Sequence, residues 1–65
     1  MNHDLENATK AAQCADLLCQ DLKALAITDN LILHDAVIAE LQIAAAQRIR
    51  LERIAANLKQ MEAKP

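Results

Sequence analysis

Ala8, Ala11, Ala15, Leu18, Leu22 and Leu25 follow one another at alternating spacings of 3 and 4, which lays one apolar stripe along a helix. Thr9, Lys10, Gln13, Asp16, Gln20 and Lys23 fall mainly on the opposite side. The pattern predicts a first helix from about Asp4, a candidate N-cap, to about Ala26. The only turn chemistry in the chain is "ITDN", Ile27 to Asn30. Thr28 can cap a second helix whose first turn holds Asp29, with Ile27 and Ile32 placed for a hydrophobic staple. Asn30 could instead adopt the left-handed conformation that glycine usually supplies. The second helix then runs from about Asp29 to about Lys64, since no Pro or Gly interrupts it. A weaker alternative makes Asp35 the cap and residues 28 to 34 a longer loop.

So short a turn makes the helices antiparallel neighbours. Folding about Thr28 and Asp29 pairs Leu25 with Leu33, Leu22 with Val37, Leu18 with Leu41, Ala15 with Ala44, Ala8 with Leu51 and Leu5 with Ile54. Leu18, Leu22, Leu25, Leu33, Val37 and Leu41 are therefore the expected seam of the hairpin. Two apolar sets are left over. Residues 55 to 64 project past the end of the first helix by roughly 15 Å and carry Leu58 and Met61. Ile32, Ile38, Ile43 and Ile49 point away from the seam. A helix that is apolar on every side is normally a buried one, so Ile38, Ile43, Ile49, Leu58 and Met61 are expected to bind another chain.

Composition sharpens this picture. There is no Gly, no aromatic residue, and a single Pro, Pro65, so the class is all-α. At 54% hydrophobic the chain is too apolar for a disordered tail, and 65 residues make one domain of marginal stability without a staple or a second chain. The expected architecture is an antiparallel two-helix hairpin that assembles with a second chain into a four-helix or coiled-coil-like bundle. The acidic start "MNHDLENATK" lacks the charged and apolar regions of a secretory signal. The most apolar segment, Ala36 to Ala46, is interrupted by Glu40 and Gln42 and is shorter than the roughly 20 residues of a spanning helix. A cytoplasmic protein is the expectation.

Candidate chemistry is sparse. His3 and His34 are the only histidines, and neither they nor Cys14 and Cys19 stand at metal-ligand spacing. His34 and Asp35 are adjacent, which on a helix points them about 100° apart. There is no Ser, and no Cys has a basic partner at helical contact spacing. The two cysteines lie five apart, on different sides of one helix, and are expected to be reduced thiols. No enzyme activity and no cofactor are expected.

Charge divides unevenly. Residues 1 to 46 hold two cations against seven carboxylates, a balance of −5, and residues 47 to 65 hold five against two, a balance of +3. In a hairpin the basic end lies beside the acidic start, which fixes orientation. Arg48, Arg50, Arg53 and Lys59 could alternatively form a nucleic-acid strip, against which stand the small net charge of −2 and the lack of aromatic stacking residues. Glu40, Gln47 and Arg48 interrupt the apolar seam of the second helix at its middle, where polar residues can set register or partner choice. The leading functional expectation is a non-enzymatic interaction module, an adaptor, assembly factor or small chaperone, whose partner is another copy or a different helical protein. The alternative is a dimeric nucleic-acid-binding regulator.

Overall fold

The computed structural model describes residues 3–63 and contains two helices, α1 over Asp4–Leu25 and α2 over Leu31–Ala63. They pack against each other as a hairpin, the all-helical architecture that the periodicity implies. The expected reach of the second helix to Lys64 lies outside the described residues. The hairpin is a rod of 54 × 14 × 13 Å, its length set by the 33 residues of α2 at about 1.5 Å each.

Local chemistry fixes both helix starts. His3, not Asp4, is the N-cap residue of α1; its side chain makes no capping bond, and its carbonyl accepts the Asn7 N–H at 2.8 Å. Asp4 and Glu6 instead occupy the first turn, where the exposed N–H groups favour negative charge. At the turn Asn30 is the cap and Thr28 supports it. The Asn30 side-chain oxygen accepts the Leu33 N–H at 3.0 Å, and its carbonyl accepts the His34 N–H at 2.8 Å. The Thr28 hydroxyl accepts the Asn30 N–H at 3.1 Å, which commits that oxygen two residues before the cap. No described residue has positive φ, so Asn30 is not left-handed, and residues 31 to 34 are helical, which excludes Asp35 as the cap. Ile27 and Ile32 both stand in solvent and form no staple.

The turn is tied across its base by a side chain. At the end of α1 the Ala26 N–H donates to Leu22, and the Ala26 carbonyl is left over, as helix-end carbonyls are. His34 Nδ1 stands 2.7 Å from that oxygen, so the nitrogen carries a proton and donates it there. One hydrogen bond thus joins the end of α1 to the second turn of α2.

Between the helices the buried residues are small: Ala15, Cys19, Val37 and Ala44. Half-buried Leu5, Ala8, Ala12, Leu22 and Ala26 extend the line on α1, and His34, Leu41, Arg48, Leu51, Ala55 and Leu58 extend it on α2. Both lines step by 3 and 4, the spacing of a coiled-coil seam. The expected seam is corrected in part. Leu22, Val37 and Leu41 lie on it, but Leu18 is 46% exposed, Leu25 47% and Leu33 37%. Ala12, Cys19 and Ala26 take their places, because small side chains along the contact line let two helix axes approach closely.

The register shifts as well. Leu51 shares a groove with Ala11 and Ala15, and Ala55 lies across from Thr9 and Ala12, about one turn from the pairing expected of a two-residue bend. The link between the helices occupies five residues, Ala26 to Asn30, which carries α2 along α1. Half-buried Leu58 still touches the hairpin, so the projecting end begins beyond it, not at residue 55.

Besides His34, Arg48 is a polar side chain on the seam. Arg48 Nη1 is 3.5 Å from Asp16 Oδ1 and 4.0 Å from Glu52 Oε2, and Asp16 also accepts Gln20 Nε2 at 2.9 Å. These groups are half-exposed, a setting in which an ion pair contributes about 0–1 kcal/mol. Arg48 Nε is buried with no partner, which costs stability. The arginine therefore adds little net stability to the seam.

Candidate functional site

Two grooves run along the two sides of the rod. One is lined by Ala11, Cys14, Ala15 and Leu18 of α1 with Gln47 and Leu51 of α2. The other is lined by Thr9, Gln13, Asp16 and Leu17 with Glu52 and Ala55. Residues seven apart on a helix differ in direction by only about 20°, so each groove identifies a whole flank.

The first flank contains Asp4, Ala11, Leu18 and Leu25 on α1, and Leu33, Glu40, Gln47, Ile54 and Met61 on α2. Its five large apolar side chains are all exposed, Met61 most of all at 67%. The second flank contains Thr9, Asp16 and Lys23, and Leu31, Ile38, Ala45, Glu52 and Lys59. It is apolar at Leu31, Ile38 and Ala45 and charged at Asp16, Lys23, Glu52 and Lys59, with exposed Leu17 also lining its groove. A helix that packs on two neighbours needs an apolar position beside its seam as well as within it, and both helices supply that position on the same side.

The residues expected to bind another chain do not share a face. Ile38 and Leu58 are half-buried in the hairpin. Ile49 is exposed toward the charged flank, three residues before Glu52, whereas Met61 lies on the apolar flank and Ile43 at its outer rim. Leu18, Leu25, Leu33 and Ile54 are the other exposed large residues of the apolar flank. Their signal in the sequence is a second run at seven-residue spacing beside the first, which is visible only once one stripe has been assigned to the seam.

The basic residues are dispersed too. At about 100° per residue Arg48 and Lys59 project to one side of α2, and Arg50 and Arg53 to the other. Arg48 is bound to Asp16 and Glu52, while Arg50, Arg53 and Lys59 are exposed. Cys14 is an exposed thiol on the apolar flank and Cys19 a buried one in the seam; the helix between them is unbroken, so they are not joined. Among the described residues no three of His, Cys, Asp and Glu cluster as metal ligands, and no helix is long and apolar enough to cross a membrane. Comparison with protein-family models, with curated proteins and with solved structures finds no match to this chain.

Proposed function

We propose that this chain is a non-enzymatic protein-interaction module whose working surface is the apolar flank, Leu18, Leu25, Leu33, Ile54 and Met61, laid against helices of another chain. One observation carries the reading: among the described residues the fully buried ones are small, and eleven large apolar side chains, these five among them, stay exposed. A side chain of this size contributes roughly 1.5–3 kcal/mol on full burial, and these five are about half exposed, so covering them recovers on the order of 4–7 kcal/mol. A core this small rarely supplies more than about 3–5 kcal/mol. The flank thus holds as much stabilisation as the hairpin itself, and the folded form is the bound form.

Helical circular dichroism and thermal unfolding of the purified chain over a wide concentration range test this. The reading requires that helicity and Tm depend on concentration or on an added partner. A monomer that keeps full helicity and an unchanging Tm on dilution would refute it.

A further inference from the structure

We infer that the chain covering the apolar flank is a second copy of this one, laid face to face with its turn over the first copy's open end, to give a four-helix bundle with α2 against α2. This rests on the reading above, that the flank is covered by a protein chain, and adds the occupant and its direction.

Three observations select it. The first is area. A compact monomer of 7.1 kDa exposes about 4,100 Å². This one exposes 5165 Å², and its radius of gyration is 15.2 Å where about 11 Å is expected of a compact domain of its length. The excess of about 1,100 Å² exceeds the roughly 800 Å² that each partner buries in an interface of standard size.

The second is self-complementarity. A two-fold interface apposes one surface to itself, so the surface must match its own reverse. The midpoint of α2, Leu31–Ala63, is Gln47, a flank residue. Leu33 and Met61 lie equally far on either side of it, and so do Glu40 and Ile54. A two-fold axis through this point sets Leu33 of one copy on Met61 of the other. It also sets Glu40 of each copy on Ile54 of the other, one position along the helix from Arg53. The midpoint of α1, Asp4–Leu25, falls at Cys14 and Ala15, with Ala11 and Leu18 on either side.

The third is charge, which decides between the two possible directions. The half of the rod near the turn, residues 16 to 46, holds Lys23 against five carboxylates, a balance of −4. In the open half, residues 4 to 15 and 47 to 63 hold five cations against four carboxylates, a balance of +1. With the turns together two strongly acidic halves would be apposed; with the turns apart each acidic half meets one of slightly positive charge.

Sedimentation equilibrium and circular dichroism on the unaltered chain, with pulsed dipolar spectroscopy on a spin-labelled Ile27→Cys, Cys14→Ser chain, test the proposal. Ile27 is exposed at the turn, and buried Cys19 stays unlabelled. The expected result is a helical dimer with turns about 50 Å apart, close to the length of α2. A separation below about 20 Å would overturn the direction. A dimer that survives the paired change Leu18→Glu, Leu25→Glu would overturn the face. A poorly helical monomer would overturn the second copy as occupant and leave the need for a different chain standing. A fully helical monomer would overturn both.

Discussion

Ile54 and Ile49 sit on the same helix, five residues apart, 49% and 46% exposed, and only the side of the rod distinguishes them. Ile54 belongs to a flank whose other large members are Leu18, Leu25, Leu33 and Met61; Ile49 stands toward Asp16, Glu52 and Lys59. Exposure alone therefore says little about an apolar residue. Its neighbours decide whether it is one of the scattered apolar groups that any surface carries or part of a contact face.

The largest effect should come from placing charge on the apolar flank. Leu18→Glu with Leu25→Glu should dissociate the assembly and remove most of the helical signal at low micromolar concentration, read by sedimentation and circular dichroism. The paired isoleucines give the sharper contrast. Ile54→Gln should lower stability by about 1.5–3 kcal/mol per chain in urea titration, whereas Ile49→Gln, which loses only the surface already buried within the hairpin, should cost about half as much. Equal effects would erase the distinction between the flanks.

Asn30→Ala removes the cap of α2 on either account and should cost about 1 kcal/mol in the same titration, with no change in assembly mass. The smallest net change is expected for Arg48→Met. That substitution gives up a half-exposed ion pair but also removes the unpaired Nε from the seam, so stability should move by less than about 1 kcal/mol. A broadened or mixed assembly in this variant would show that the Asp16 contact sets register.

The hairpin was legible because the chain offers few alternatives: no Gly, one terminal Pro, and one polar cluster between two helix-forming runs. Which stripe faces inward was not. Ala8, Ala11, Ala15, Leu18, Leu22 and Leu25 form one continuous run, but Leu5, Ala8, Ala12, Ala15, Cys19, Leu22 and Ala26 form another with the same spacing. Hydropathy favours the stripe richer in leucine, whereas close packing of two helices favours the stripe of small residues, and the leucines displaced from the seam form the exposed apolar flank. The cap was ambiguous for a similar reason. Thr28 and Asn30 are both good capping residues, and only the backbone path decides that Asn30 Oδ1 reaches the Leu33 N–H while the Thr28 hydroxyl serves Asn30. The role of His34 depends on a contact eight residues back in the chain, with the Ala26 carbonyl, which no local pattern encodes.

The most direct test of the account is the accessibility of methyl groups on the two sides of the rod, measured by NMR relaxation from a soluble paramagnetic probe on a concentrated sample. The account predicts that Leu18, Leu25 and Ile54 are shielded while Leu17, Ile32 and Ile49 relax as fully exposed groups. Equal relaxation of the two sets in a folded, helical sample would contradict it.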